Sequence, residues 1–205
     1  MKLYSFPGSP NCVKVVVCAR ELGRSLELEN LSVDALKQPA YREVHPLAKV
    51  PALQDGPLIL WESGAILAYL AGQDPKASLL PREPVQHADT LRWLLFYSIH
   101  VHPHVYLLGW ERGIKQMMTG VAGADEHRTA YAQEQLASSL PVLDARLARS
   151  DYLTGRYSIA DIASGVSLCA LRDYMKFDLS AYPGVLGWLE RLERRDAWRP
   201  LWGQS

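Results

Sequence analysis

This sequence predicts an α/β amino-terminal domain followed by an all-helical carboxy-terminal one. Three observations carry that prediction. Short apolar strands alternate with short helices over the first eighty residues. A stretch holding Gly72, Pro75, Pro81 and Pro84 then interrupts the pattern. Beyond it, apolar residues recur at helical spacing and β-branched runs are few. The boundaries read as 1–76 for the first domain, 77–84 for a linker and 85–205 for the helical domain.

Taken in order, Lys2-Leu3-Tyr4-Ser5-Phe6 reads as a strand and Pro7-Gly8 as a turn. Pro10 to Leu22 is a helix carrying Val13, Val16, Val17 and Leu22, and Gly23 stops it. Ser25–Leu31 is extended, and the polar segment from Asp34 to Glu43 holds a turn of helix. Val50-Pro51-Ala52-Leu53-Gln54 and Leu58-Ile59-Leu60-Trp61 are strands joined through Asp55-Gly56-Pro57. Ser63 opens a helix bearing Ile66, Leu67, Tyr69 and Leu70. The order β-α-β-α-β-β-α is close to a thioredoxin-like layout. Right-handed crossover makes the first two strands parallel and leaves the last two as a hairpin. In the second domain helices are expected near 85–118, 125–149, 158–173 and 182–194, with Pro103 kinking the first. Ser158 as N-cap and Asp161 at the third helical position form a capping box.

Composition narrows the function classes. With 205 residues, 48% of them hydrophobic, the chain can bury a sizeable core. The formal net charge is zero, and residues 1–80 carry eight basic and eight acidic side chains. No half is basic, which argues against nucleic acid or an anionic membrane as a partner. Cys12, Cys18 and Cys169 are too few and too scattered for a disulfide framework. No run approaches ~18 apolar residues. A soluble protein of a reducing compartment, the cytoplasm, is expected. His100, His102 and His104 lie close in sequence, but Pro103 interrupts their face and no acidic or cysteine ligand lies alongside, so no metal is expected.

The densest chemical signal is Ser9-Pro10-Asn11-Cys12, where the first strand hands over to the first helix. A helix amino terminus offers unpaired N–H groups and a partial positive charge. The spacing is that of C-x-x-C, with serine in the first place. Serine forms no disulfide with Cys12, so chemistry here calls for a sulfur supplied from outside. Ser9 followed by Pro10 is also an ideal N-cap with proline at the first helical position. A capping hydroxyl accepts from the backbone and can still donate elsewhere, so the two readings are compatible.

Three motifs in order make the chain resemble the cytosolic glutathione S-transferases over essentially its whole length. They are Pro7-Gly8-Ser9-Pro10-Asn11-Cys12, then His45-Pro46-Leu47-Ala48-Lys49-Val50-Pro51-Ala52-Leu53, similar to N-P-x-G-K-V-P-x-L, then Glu62-Ser63-Gly64-Ala65-Ile66, similar to E-S-x-A-I. The Ser158/Asp161 box adds to them. His45 and Ala48 stand where asparagine and glycine are usual, and in a loop they are expected to have little consequence. Ser9 resembles the serine of bacterial, theta, delta and phi enzymes. Pro10-Asn11 resembles the Nu class, which reduces disulfides with glutathione and has threonine where Ser9 stands. Tyr4, the counterpart of a catalytic tyrosine, lies inside a strand and is read as structural.

The resemblance implies a glutathione transferase acting on apolar electrophiles, with glutathione as co-substrate and a homodimer as the assembly. The alternatives are a glutathione-dependent disulfide reductase and a non-catalytic glutathione-binding module. Ser9 is expected to donate a hydrogen bond to the glutathione sulfur. Asn11 either aims its amide N–H at the same sulfur or faces solvent. Cys12 is expected to be buried and inert. Val50, before a cis Pro51, would pair with the cysteinyl backbone like an added strand; otherwise Pro51 merely starts an edge strand. Glu62 and Ser63 would hold the γ-glutamyl ammonium and carboxylate. Lys49, with Lys37 or Gln38, would hold the glycine carboxylate. Tyr106, Trp110 and Met117, near helical spacing, would line the co-substrate pocket or pack the core.

Overall fold

Burial alternates along β1 (Lys2–Ser5), with Leu3 and Ser5 turned into the core. This period of two marks a strand with one buried face. In the computed structural model, which describes residues 1–202, β1 runs parallel to β2 (Glu27–Asn30) and antiparallel to β3 (Ala52–Asp55). β4 (Leu58–Trp61) pairs antiparallel with β3, for a sheet order β2-β1-β3-β4. The parallel pair spans the crossover helix α1 (Pro10–Glu21), and the hairpin needs only a turn in which Gly56 takes φ +59. The layout expected from the sequence is observed, with the second and third strands starting two residues later than read.

The polar stretch after β2 resolves into α2 (Val33–Lys37) and a 3-10 turn over Pro39–Glu43. The Ser32 hydroxyl caps α2 by accepting from the Ala35 N–H at 3.1 Å. α3 (Ser63–Gly72) packs against α1 through its buried face of Ile66, Leu67 and Leu70. Tyr69 donates to Asp55 Oδ2 at 2.8 Å and ties α3 to the end of β3. Met1–Arg82 and the segment from Glu193 onward form one of two units. That segment is fastened to α1: Arg195 donates to both Glu21 carboxylate oxygens at 2.7 Å, and Trp198 is buried.

The second unit, Glu83–Leu192, is helical. The helix expected over 85–118 is a chain of shorter pieces: α4 (Pro84–Phe96), a π turn over Tyr97–Val101, α5 (His102–Gly109), a second π turn over Trp110–Ile114 and α6 (Lys115–Thr119). Pro103 sits in the first turn of α5, where its missing N–H is harmless, so the break falls just before it as a π turn. α7 (Glu126–Leu147) follows, then α8 (Ile159–Asp173) and α9 (Pro183–Glu193). α8 is buried from Ile159 through Leu171, and such a helix is apolar all round because it forms the centre of its unit. Among the described residues no helix is long and apolar enough to cross a membrane.

The expected capping box is present at the start of α8. Asp161 is fully buried and accepts from the Leu153 N–H at 2.9 Å, the Ser158 N–H and hydroxyl at 3.0 Å each, and the Trp188 indole at 3.1 Å. Burial lifts its carboxyl to about 6, and the four donors oppose that lift. One side chain therefore joins the loop before α8, α8 itself and α9. Truncation leaves several buried donors unpaired. Asp161→Ala is expected to lose about 3 kcal/mol or more in urea unfolding followed by tryptophan fluorescence. Ser158→Ala, which removes one capping hydroxyl, should lose about 1 kcal/mol.

Candidate active site

The sheet register assembles the site. Tyr4 stands opposite Ala52, and Ala52 opposite Trp61. The end of β1, the start of β3 and the end of β4 therefore lie at one end of the sheet. The chain leaves or enters there through Phe6–Ser9, Val50-Pro51 and Glu62-Ser63. β2 ends at the same edge, since Asn30 is the partner of Ser5, so α2 with Lys37 and Gln38 departs from it too. The three motifs, far apart in sequence, share one rim.

Ser9 is the N-cap of α1 with extended backbone (φ −70, ψ 116). Gly8 makes the approach possible with φ +79. The Ser9 carbonyl accepts from the Cys12 and Val13 N–H groups at 3.0 Å each. Its hydroxyl makes no capping bond. It stands instead in hydrogen-bonding position to the Cys12 thiol. Cys12 is fully buried, and burial pushes its thiol above the usual range against the pull of Ser9 and of its other neighbours. The sulfur inside the motif is thus a neutral thiol. Tyr4 donates to Gln54 at 3.0 Å, as a structural residue of the sheet.

The remaining residues sort by their partners. Val50-Pro51 is a cis peptide, immediately ahead of β3. The Tyr41 hydroxyl donates to the Lys49 carbonyl at 2.8 Å and steadies that approach, while the Lys49 side chain lies exposed. Glu62 is exposed and takes φ 71, the left-handed side of the map that a glutamate adopts at a cost of about 1 kcal/mol or more. Ser63 follows as the first residue of α3, so Glu62 and not Ser63 holds the N-cap position. Lys37 is exposed, and Gln38 spends its amide donor on the Asp34 carbonyl at 3.3 Å.

Lys14 is a residue the sequence reading passed over. It is fully buried and donates to Asn11 Oδ1 at 2.7 Å. Its signal was a lone lysine inside the apolar run Cys12 to Cys18. In the second unit the rings of Tyr106 and Trp110 lie 6.3 Å apart, but Met117 does not continue their stripe. The π turn over Trp110–Ile114 adds one residue to a helical turn and shifts the face by about 100°. A cavity of about 430 Å³ in this unit is lined by Arg112, Gln116, Tyr174 and Lys176 among others, and by none of the three residues expected to line a pocket.

Residues 3–78 match the family model for the glutathione S-transferase N-terminal domain, and residues 95–196 match that for the C-terminal domain. The chain belongs to the glutathione S-transferase family. Glutathione S-transferase 3 of Zea mays is 32% identical over 97% of this chain and 91% of its own. A theta class glutathione S-transferase from Xanthomonas axonopodis pv. citri, solved with glutathione bound, superposes with a TM-score of 0.85. It is 31% identical over 97% of this chain and 94% of that one. A glutathione transferase from Methylococcus capsulatus superposes with a TM-score of 0.83 and 31% identity, over 98% and 96% of the two chains.

Two departures from the glutathione S-transferase motif weigh more than the sequence suggested. Ala48, where glycine is usual, has φ 51, a conformation that costs an alanine about 1 kcal/mol. His45 is buried, its ring 5.7 Å from that of Trp61, and its Nδ1 accepts from the Leu47 N–H at 3.2 Å. Both bear on the loop leading to Lys49 and Val50. Cys12, Cys18 and Cys169 are all buried, and burial pushes Cys18 up to about 12. A native sample should therefore resist an aromatic disulfide reagent at neutral pH, and unfolding should release all three thiols. Fast labelling of Cys12 in the folded protein would contradict this.

Proposed function

We propose that this glutathione S-transferase activates the glutathione thiol with Ser9 and the amino terminus of α1, for attack on an apolar electrophile. The observation that carries the reading is the Ser9 hydroxyl. It holds the N-cap position and caps nothing, so it is available to a ligand at the rim where the three motifs meet. A free thiol titrates near 8.5, and one donor together with a helix terminus lowers that by about one to two units. The thiolate fraction at neutral pH rises several-fold or more, and the thiolate is the attacking species.

The other rim residues hold the tripeptide. The Val50 backbone extends the line of β3 and pairs with the cysteinyl backbone in strand fashion. Glu62 meets the γ-glutamyl ammonium, and Ser63 with the first N–H groups of α3 meets the carboxylate. Lys49 takes the glycine carboxylate, with Lys37 as the nearer candidate of its pair because the Gln38 amide is already engaged. Asn11 offers its amide to the sulfur. Tyr106 and Trp110 supply an aromatic face for the apolar co-substrate. No metal enters this scheme, and the cytoplasm is its setting.

A homodimer is part of the proposal. β4 is an edge strand that leaves Leu58, Ile59 and Trp61 exposed, an apolar row that natural edge strands seldom present uncovered. Light scattering is expected to return twice the 23.0 kDa chain mass, and a monomer would refute this part.

Ser9→Ala tests the chemistry. The ultraviolet thiolate absorbance of bound glutathione should fall, and turnover of a chloronitrobenzene at neutral pH should drop about 10- to 100-fold, as a shift of one to two units requires. The KM for glutathione should change little. Unchanged absorbance with intact turnover would remove Ser9 from the mechanism. Turnover of a small disulfide without the aryl halide would reassign the chain to disulfide reduction, and retention on a glutathione matrix without either would leave a binding module.

A further inference from the structure

We propose that Lys14 is a positioning residue for thiol activation: its buried side chain holds the Asn11 amide oxygen, so that the amide nitrogen is the end Asn11 presents to the sulfur of glutathione. The inference rests on the reading of Ser9 and α1 as the thiol site. Asn11 and Lys14 are three residues apart on α1 and share a face. Lys14 Nζ lies 2.7 Å from Asn11 Oδ1. An ammonium has donors and no acceptor, so the oxygen of the carboxamide has to be the end that meets it. That leaves the NH2 end, a donor pair, as what the second residue of the helix offers to an anion.

The orientation has a chemical consequence. Donors near a sulfur stabilise its ionised form, and a lone pair in the same place favours the thiol. An asparagine free to turn over would present both ends and lose much of the effect. Pinning one end makes Asn11 a donor only, which is also the polarity of the helix terminus beside it.

Packing alone does not account for a lysine here. Lys14 is fully buried on α1, among Val13, Val15 and Val17. Burial pulls its ammonium down to about 7, with the Cys12 thiol opposing weakly. A hydrocarbon side chain of similar length would fill the volume without that penalty. What the lysine adds is a donor aimed at Asn11.

The test compares wild type with Lys14→Met, Lys14→Arg, Asn11→Ala and the Lys14→Met/Asn11→Ala pair. It reads the pH midpoint of the bound glutathione thiolate absorbance, kcat and KM. Lys14→Met is expected to raise the midpoint by about half a unit to one unit and lower kcat about 3- to 10-fold at neutral pH, with the KM for glutathione within about two-fold. Lys14→Arg should restore most of the loss. In the Asn11→Ala background Lys14→Met should have no further effect, because the group it positions is gone. The melting temperature of Lys14→Met should be equal to or above that of wild type, which separates positioning from stability. Should that variant not fold, Asn11→Asp serves instead. It keeps a partner for Lys14 but replaces the donor end with an oxygen, and is expected to raise the midpoint at least as far as Asn11→Ala. An unchanged midpoint in Lys14→Met or Asn11→Asp, or an equal Lys14→Met effect with and without Asn11, overturns the proposal while leaving Ser9 in place. Absence of any thiolate band in wild type overturns both.

Discussion

The pairing of Tyr4 with Ala52 and of Ala52 with Trp61 is the constraint on which the site depends. A sheet register has no half-steps. Moving β3 by one residue against β1 would turn Leu53 from the core to the other face and carry Pro51 away from the end of β1. Leu3 and Leu53 stand opposite each other and are both fully buried, so the apolar pattern holds the register in place. Three chain reversals from distant parts of the sequence meet at one rim because of it. None of their residues needs a neighbour in sequence to be a neighbour at the site.

The chemistry at that rim is mostly backbone and dipole, refined by a few side chains. α1 and α3 both begin there, and each brings N–H groups that its own helix cannot satisfy. Ser9 would ordinarily answer that need as a cap, yet its hydroxyl is turned elsewhere. Cys12, the one sulfur in the motif, is kept neutral by burial. A site so arranged has anion-stabilising groups without an anion of its own, which is the condition for working on a borrowed thiol. The backbone outlier at Glu62 belongs to the same economy, since strain of that kind is held only where surrounding structure fixes it.

The helical unit is organised by a different device. Asp161 gathers donors from Leu153, Ser158 and Trp188 at the head of a helix buried on every side. Where that unit departs from regular helix it does so at π turns, over Tyr97–Val101 and Trp110–Ile114. At the first, the Tyr97 hydroxyl bridges His102 Nδ1 at 2.8 Å and Ser167 Oγ at 2.5 Å, so the irregular turn is tied to α8 by a polar link.

The sequence by itself determined the fold class, the order of elements, the three motifs and the Ser158/Asp161 box. Those signals are local: a period of two or 3.6, a proline or glycine at a turn, an oxygen placed to cap a helix. It did not determine which end of the Asn11 amide is held, that the Ser9 hydroxyl caps nothing, that Ala48 takes a left-handed backbone, or that Met117 leaves the stripe of Tyr106 and Trp110. Each of these is decided by partners or by phase. Lys14 meets Asn11 only once the helix is buried, Ala48 is forced by the path into Pro51, and one extra residue in a turn displaces everything after it. Residue type and spacing name the groups that can act; only packing decides which way they face.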